Sequence, residues 1–242
     1  MRTAVVSGGT RGIGLAFSRR LKRLGYQVVA LYRHDKTAAD AAATAGLVPV
    51  QVDVADPVAV DAAVHDIVRI YGGPSVLVNN AGVNVDRPVL AMSVEDWRRV
   101  LDTNLSGVFY LTRALLPAML ATTGDRVIVN VGATTGIRPR RDGANYCASK
   151  AGLLQLTKCL ALELAPQVRV NSLIPGNTET DELVARFGLD DPAGRAKFLA
   201  DVPQGRLGTT EQVADALEFL VGPGSAQMTG QKLIVDGGQF MW

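Results

Sequence analysis

The chain has 242 residues, of which 48% are hydrophobic and 20% are charged, and its formal net charge is +2. This length and composition predict one domain over residues 1–242 with a large buried core, and they exclude a disordered or fibrous chain. A net charge so close to zero indicates no nucleic-acid partner, and two cysteines are too few for a disulfide framework.

Membrane and metal sites are not expected either. No uncharged apolar run approaches the roughly 20 residues that span a bilayer, and the first residues show no signal-peptide pattern. We therefore expect a cytoplasmic protein without a membrane partner. His34 and His65 stand apart from each other and from any metal-binding spacing, so the sequence predicts no metal site.

Short apolar segments alternate with longer helical patterns along the whole chain. Seven of these segments have the length and the β-branched composition of buried strands. They lie at residues 3–6, 27–31, 47–52, 76–79, 127–131, 169–174 and 232–235. The alternation predicts an α/β protein with a doubly wound Rossmann fold, in which a seven-stranded parallel sheet carries helices on both faces.

Apolar residues at helical spacing mark the segments between these strands. The first helix is predicted from Ile13 to Leu24, with Gly25 at the position where a helix ends. Later helices are predicted at residues 57–70, 94–120, 145–164 and 210–220, with a kink or break at Pro117. Residues 179–202 form the least regular stretch, which is interpreted as a mobile lid.

A glycine-rich turn follows the first predicted strand and opens the first helix. Glycines let the backbone approach a pyrophosphate, and the helix N-terminus adds free N–H groups and a partial positive charge. The Gly-x-x-x-Gly-x-Gly spacing in this context predicts a dinucleotide site, whereas tight strand–helix packing is the alternative explanation. The residues predicted to hold the cofactor here are Gly8, Thr10, Arg11, Gly12, Ile13 and Gly14.

The end of the second strand bears on the choice of cofactor. A site for NAD usually places a carboxylate there to bind the ribose 2′-hydroxyl, but this chain has Tyr32 followed by Arg33. Arg11 and Arg33 together could clamp a 2′-phosphate, since guanidinium matches phosphate geometry. The sequence therefore predicts NADP(H), with two merely solvated arginines as the alternative.

Tyr146 and Lys150 lie four residues apart at the start of a predicted helix, so their side chains share one face. A free tyrosine has a pKa of about 10, and an adjacent ammonium lowers the pKa by favouring the phenolate. The pair is therefore interpreted as a proton-transfer site. An ordinary amphipathic helix face explains the spacing equally well when the pair is considered alone.

Further motifs accompany this pair in a fixed order. They are Asn79-Asn80-Ala81-Gly82 after the fourth strand, Asp102-Thr103-Asn104 in the next helix, and Pro175-Gly176 with Thr178 and Thr180 after the sixth strand. In order and approximate spacing the chain resembles the short-chain dehydrogenase/reductase family over nearly its whole length. The resemblance implies a dinucleotide-binding catalytic domain.

The same resemblance implies roles for individual residues. Tyr146 would be the general acid, Lys150 would hold the nicotinamide ribose and lower the pKa of the tyrosine, and Asn104 would support a water-linked proton relay. Adenine contacts would come from Asp53 and Val54. Further cofactor contacts are implied for Asn80, Ala81 and Gly82, and for Pro175, Gly176, Thr178 and Thr180.

Within the family the chain is most similar to 3-oxoacyl-(acyl carrier protein) reductases and acetoacetyl-CoA reductases, on stretches such as Ala144-Asn145-Tyr146 and Val235-Asp236-Gly237-Gly238. This implies NADPH-dependent reduction of a ketone, a 3-oxoacyl thioester or a related carbonyl compound. The family places a serine that binds the substrate carbonyl thirteen residues before the tyrosine. Here that position is Ala133, whose side chain cannot donate a hydrogen bond.

Three explanations of Ala133 remain open. Thr134 or Thr135 supplies the missing hydroxyl, with strand alternation favouring Thr135. Alternatively, the substrate brings its own hydrogen-bonding group into the space beside Ala133. The third is a different class of protein: a low-turnover or inactive cofactor-binding member of the family that acts as a regulatory or partner subunit.

Two surface features suggest partners. Arg138, Arg140 and Arg141 precede Tyr146 and are candidates to receive an acyl carrier protein, a CoA phosphate or a carboxylate, although a solvated loop explains them too. The apolar end Phe240-Met241-Trp242 suits a subunit contact, and relatives are commonly tetramers, so a homotetramer is expected. Packing within the subunit is the alternative.

Overall fold

The computed structural model describes residues 2–241, so Trp242 of the expected subunit contact lies outside the described residues. Seven strands form one sheet in the order β3-β2-β1-β4-β5-β6-β7, and every neighbouring pair is parallel. The strands are β1 (Arg2–Ser7), β2 (Tyr26–Tyr32), β3 (Val48–Gln51), β4 (Pro74–Asn79), β5 (Val127–Val131), β6 (Arg169–Pro175) and β7 (Lys232–Val235). This confirms the predicted doubly wound parallel sheet, with strand bounds within two residues of those expected.

Nine α-helices connect or follow these strands within residues 2–241. They are α1 (Gly12–Arg23), α2 (Lys36–Thr44), α3 (Pro57–Tyr71), α4 (Val94–Leu101), α5 (Gly107–Leu120), α6 (Ala144–Leu164), α7 (Asp181–Phe187), α8 (Pro192–Leu199) and α9 (Thr210–Val221). A π-helical segment, Asp102–Ser106, joins α4 to α5, and a short 3-10 turn, Thr134–Gly136, follows β5.

Both faces of the sheet are covered because successive strand residues point to opposite sides. From β1, Val6 packs into a core cluster with Phe17 of α1 and Leu217 of α9. Its neighbour Val5 packs on the other face with Leu111 and Leu115 of α5. All six side chains are almost completely buried, and so they fix the sheet between two helical layers.

The predicted helix over residues 94–120 is correct in extent but not in the place of its irregularity. Pro117 lies inside α5, which continues to Leu120. The deformation instead falls at the π-helical segment Asp102–Ser106, which contains Asn104. An extra residue in one turn changes the direction of the local carbonyl groups, and such segments are frequent at functional sites.

Three helices of the structure were not predicted from the sequence. The alanine-rich α2 was not predicted, since its few apolar positions give a weak helical period; Asp35 caps it by accepting a hydrogen bond from the Ala38 N–H at 2.9 Å. The supposedly irregular stretch 179–202 contains α7 and α8. Thr180 and Asp191 cap these helices through the N–H groups of Leu183 and Gly194.

Candidate active site

The carboxyl ends of β1 and β4 meet at the point where the strand order reverses. In open parallel sheets ligands bind in the crevice at such a switch point. The glycine-rich turn follows β1 and the Asn80-Ala81-Gly82 segment follows β4, and β1 pairs directly with β4. The structure thus brings two of the predicted motifs together.

The glycine-rich turn is closed tightly on its inner side. A Cβ on Gly14 would lie 2.0 Å from the carbonyl oxygen of Gly8, and one on Gly9 would lie 2.8 Å from the carbonyl oxygen of Val6. Gly12 is different: its φ of 53° requires glycine, but the nearest atom to a Cβ there is 3.7 Å away, on Thr180. The turn therefore opens outward at Gly12, as a phosphate cradle needs.

Asn80 supports this turn from β4. Its Nδ2 donates to the carbonyl oxygens of Ser7 and Gly8, at 3.0 and 3.2 Å. The Ser7 hydroxyl oxygen accepts from the N–H groups of Asn80 and Ala81, both at 3.0 Å. The Asn80 side chain thus binds the backbone of the turn and holds it against the end of β4.

Arg11 and Arg33 both reach carboxylates. The Arg11 guanidinium lies 3.5 Å from Glu182 of α7, in an exposed pair. The Arg33 Nε lies 3.1 Å from Asp53 Oδ2, an ion pair that does not meet the geometry of a hydrogen bond. The two arginine side chains are 64% and 38% exposed, and guanidinium groups in such positions suit an anionic ligand.

The segment after β3 carries the two residues expected beside adenine. Asp53 Oδ1 accepts from the Ala55 N–H at 3.0 Å, and Val54 is buried with 7% exposure. A Cβ on Gly107 would lie 2.8 Å from the Val54 carbonyl oxygen, so α5 begins directly against this segment. The ion pair with Arg33 brings Asp53 next to the residue expected at the 2′-phosphate.

Lys150 is buried under β5. Its Nζ donates a 2.8 Å hydrogen bond to the carbonyl oxygen of Val131, the last residue of that strand. Burial lowers the pKa of Lys150 from 10.5 to about 8. The Nζ lies 5.8 Å from the centre of the Tyr146 ring, so the pair shares one site as the four-residue spacing predicts.

The electrostatics of Tyr146 differ from expectation. Burial raises its pKa to about 12, against the lowering expected from a neighbouring ammonium. The charges that oppose this rise belong to Arg140 and Arg186 rather than to Lys150. The reason is that Lys150 is itself desolvated and directs its Nζ at the Val131 carbonyl.

Asn104 lies in the π-helical segment and is fully buried. Its side chain exchanges two hydrogen bonds with the backbone of Val83: Nδ2 donates to the carbonyl oxygen at 2.9 Å and Oδ1 accepts from the N–H at 2.8 Å. Nδ2 also lies 3.2 Å from Ser149 Oγ, one residue before Lys150. Asn104 therefore holds the loop after β4 against α6.

The position of the family's serine lies where the backbone leaves β5. Ala133 is extended and Thr134–Gly136 forms a 3-10 turn, so the strand alternation that favoured Thr135 does not extend to it. Thr135 Oγ1 is nevertheless buried without a hydrogen-bond partner among the described residues. A Cβ on Gly136 would lie 2.7 Å from the backbone carbon of Lys150, which shows how closely this turn packs on α6.

The segment after β6 borders the phosphate turn. The Gly176 N–H donates to the Val235 carbonyl oxygen at 2.9 Å, and a Cβ on Gly176 would lie 2.5 Å from Asp236. Thr178 is buried, and its hydroxyl donates to the Gly176 carbonyl oxygen at 3.2 Å. Thr180 caps α7 and lies near Gly12. Pro175 is the last residue of β6, so the segment starts at the same edge of the sheet.

Several residues of the site were not found from the sequence. Asp86 binds Arg140 through both carboxylate oxygens, at 2.6 and 2.7 Å. Asn145 donates to the Val85 carbonyl oxygen at 3.0 Å and joins the same loop to the start of α6. The sequence shows only that Asp86 follows the Asn79–Gly82 motif and that Asn145 precedes Tyr146. Their contacts span 54 and 60 residues, and no local pattern predicts them.

The fold and this site are those of a dinucleotide-dependent oxidoreductase, and the comparison with known proteins agrees. The family model described as enoyl-(acyl carrier protein) reductase matches residues 8–239. The chain belongs to the short-chain dehydrogenase/reductase family, whose members bind a nicotinamide cofactor.

Individual relatives match along nearly their full length. The 3-oxoacyl-(acyl-carrier-protein) reductase FabG of Vibrio cholerae is 36% identical over 244 residues, which cover 99% of this chain and 98% of that protein. The 3beta-hydroxysteroid dehydrogenase 1 of Eggerthella lenta is 38% identical, with 100% and 94% covered. The ligand-free aldohexose dehydrogenase of Thermoplasma acidophilum superposes with a TM-score of 0.90 at 32% identity, with 98% and 93% covered.

Proposed function

We propose that this protein is an NADPH-dependent reductase that converts a ketone, in the form of a 3-oxoacyl thioester or a related carbonyl compound, to an alcohol. The observation that carries the proposal is the fastening of Lys150 to the Val131 carbonyl beside Tyr146, at the end of the sheet where the phosphate turn lies. The similarity to FabG over the whole chain supports the substrate class.

The cofactor would lie across the switch point of the sheet. Gly12 and the N-terminus of α1 would receive its pyrophosphate, while Arg33 and Arg11 would contact the 2′-phosphate. Asp53 and Val54 would border the adenine. Such a cofactor, when bound, supplies the hydride.

Tyr146 would hold the proton that the carbonyl oxygen receives. A pKa of about 12 keeps its hydroxyl protonated at neutral pH, which suits a general acid in the direction of reduction. Lys150, with a pKa of about 8, exchanges its own proton in the neutral range and can return one towards Tyr146. Asn104 keeps the loop after β4 closed against α6, and so fixes the wall of the site.

The comparisons do not favour the low-turnover alternative. The matched relatives are described as reductases and dehydrogenases, and this chain retains Tyr146, Lys150 and Asn104. We propose that the whole chain acts as a single catalytic domain, since all seven strands belong to one sheet and the family match covers residues 8–239.

A substrate panel tests the proposal. NADPH oxidation is followed by absorbance with 3-oxoacyl thioesters, diketones and cyclic ketones, and each assay is repeated with NADH and with the Tyr146→Phe variant. Faster turnover with NADPH and a thioester, lost in Tyr146→Phe, supports the assignment. Absence of turnover with every ketone, despite NADPH binding in a direct titration, rejects it.

Assembly and location form part of the same proposal. We propose a homotetramer in the cytoplasm, and exposed apolar side chains are available for subunit contacts: Phe109 on α5 is 46% exposed and Leu162 on α6 is 83% exposed. No helix within residues 2–241 is long and apolar enough to cross a membrane. Sedimentation velocity that gives a monomer at micromolar concentration would contradict the assembly.

A further inference from the structure

Three charged residues from separate segments meet beside Tyr146, and we call them the Asp86 cluster. Asp86 lies after β4, Arg140 lies between β5 and α6, and Arg186 lies on α7. Arg140 binds both oxygens of Asp86, at 2.6 and 2.7 Å, and Arg186 binds one of the same oxygens. The side chains are only 28–31% exposed, so water screens these pairs less than it screens surface pairs.

Arg140 extends from this cluster towards the tyrosine. Its Cζ lies 5.7 Å from the centre of the Tyr146 ring, and its Nη2 also donates to Asn84 Oδ1 at 3.2 Å. A Cβ on Gly143 would lie 3.2 Å from Cζ and 3.4 Å from Nε. The guanidinium thus packs over a glycine that leaves room for it, immediately before α6 begins.

The cluster has an excess of one positive charge, since two arginines share one carboxylate. The neighbouring arginines hold the pKa of Asp86 below its usual range, although burial acts in the opposite direction. The bonds to Asp86 likewise raise the pKa of Arg140. Asp86 and Arg140 therefore both favour their charged forms, and the pair keeps a cation beside Tyr146.

We propose that Arg140 is a positioning residue for Tyr146: held by Asp86 and by contact with Gly143, it orients the phenol ring and favours the phenolate. The inference rests on the proposed function, in which Tyr146 exchanges a proton with the substrate. Arg140 supplies a cation beside Tyr146 in a chain whose Ala133 offers no hydroxyl.

Other charged and titratable groups face Tyr146 from the surrounding elements. Arg186 of α7 lowers the pKa of Tyr146, and Glu182 of the same helix raises it. Cys147 and Lys150 belong to α6, and Lys150 directs its Nζ at Val131. Among the neighbouring charges, that of Arg140 lowers the pKa of Tyr146 most, against the rise that burial causes. Arg140 is therefore the residue to substitute.

The test measures the pH profile of alcohol oxidation, in which Tyr146 must first lose its proton. With NADP+ and 3-hydroxybutyryl-CoA, kcat/KM rises with pH as the phenolate forms. Arg140→Gln removes a cation that favours the phenolate, so the rising limb should move to higher pH by roughly 0.5–1 unit. Arg140→Lys, which keeps the charge but not the two-oxygen bond to Asp86, should give a smaller shift.

Two further variants make the test specific. Arg99→Gln removes an exposed arginine of α4 that has no part in the proposed site, and it should leave the profile unchanged. Gly143→Ala keeps every charge and displaces the Arg140 guanidinium only slightly, so the limb should shift in the same direction by less than in Arg140→Gln. Arg140→Met replaces Arg140→Gln if that variant does not fold. Coincident profiles for wild type and Arg140→Gln, or equal shifts with Arg99→Gln, overturn the proposal.

Failure of the proposed function can be distinguished from failure of the proposed role of Arg140. If the wild type oxidises no thioester alcohol, ultraviolet difference titration in the presence of NADP+, wild type minus Tyr146→Phe, reads the same tyrosine ionisation without a substrate. A higher tyrosinate pKa in Arg140→Gln than in wild type then supports the role of Arg140. Equal values overturn it independently of the reaction.

Discussion

Lys150 fastens α6 to the end of β5: its Nζ donates to the carbonyl oxygen of Val131 at 2.8 Å. The hydrogen bond satisfies one proton of an ammonium that is otherwise enclosed, as the side chain is buried and the pKa falls from 10.5 to about 8. A charge kept in such a place costs folding free energy, and it is kept beside the residue expected to transfer the proton. The same hydrogen bond thus joins the stability of the fold to its proposed chemistry.

The first prediction concerns the pH dependence of stability. Between pH 8 and 10.5 the unfolded chain holds a proton at Lys150 that the folded chain has released. Unfolding therefore takes up a proton, and the free energy of unfolding rises with pH across this window, by up to about 3 kcal/mol. Lys150→Met should lack this rise, as measured by urea unfolding at several pH values.

Comparison of the two proteins isolates the effect of Lys150. Tyr146, whose raised pKa reduces stability between pH 10 and 12, is present in both and cancels in the difference. A difference between wild type and Lys150→Met that stays constant from pH 7 to pH 10 would mean that the lysine is not desolvated as described.

The second prediction concerns the hydroxyl of Tyr146. Tyr146→Phe removes the proposed proton donor but keeps the ring beneath Arg140. The value of kcat for ketone reduction should fall about 10²–10⁴-fold, the usual contribution of a general acid. NADPH affinity, measured by fluorescence titration, should change little, so that a parallel loss of affinity would indicate a structural role instead.

The third prediction concerns the arginine at the end of β2. Arg33→Ala should weaken NADPH binding roughly 10- to 100-fold, the effect of one lost charge-assisted contact, and leave NADH binding almost unchanged. Calorimetric titration with each cofactor measures the ratio. Arg23→Ala is the matched control, because Arg23 is an exposed arginine of α1 that pairs with Glu211. An equal loss of affinity for NADPH and NADH would mean that Arg33 does not contact the 2′-phosphate.

The fold was predictable because its signals are local. Short segments rich in Val and Ile predict the strands. The glycines of the phosphate turn predict a close approach of the backbone, and Gly14 does lie against the Gly8 carbonyl. The helix α2 was missed because residues 36–44 are mainly alanine, which has high helix propensity but gives no amphipathic period. The irregularity expected at Pro117 lies instead around Asn104, which side-chain contacts with Val83 hold in place.

The site was predictable only in part. Tyr146, Lys150 and Asn104 come from motifs, but the electrostatic surroundings of Tyr146 come from the tertiary structure. Asp86 and Arg140 are 54 residues apart in the chain, and no periodicity or spacing relates them. The pKa of Tyr146 depends on this contact and on burial, and so its direction could not be read from the neighbouring lysine.

The last prediction concerns the missing serine. A preorganised donor to a developing oxyanion contributes about 10²–10³-fold to the rate, so Ala133→Ser should raise kcat for 3-oxoacyl thioesters at least tenfold if no other group occupies this role. Thr135 offers a substitute, because its Oγ1 is buried without a partner among the described residues.

If Thr135 takes the role after a shift of the 3-10 turn, Thr135→Val should lower kcat comparably, and Ala133→Ser should restore it in the double variant. Stopped-flow absorbance of NADPH under single-turnover conditions separates this chemical step from product release. Unchanged rates in Thr135→Val, together with a gain in Ala133→Ser, would show that no protein hydroxyl replaces the serine at position 133. The explanation would then be that the substrate supplies its own hydrogen-bonding group.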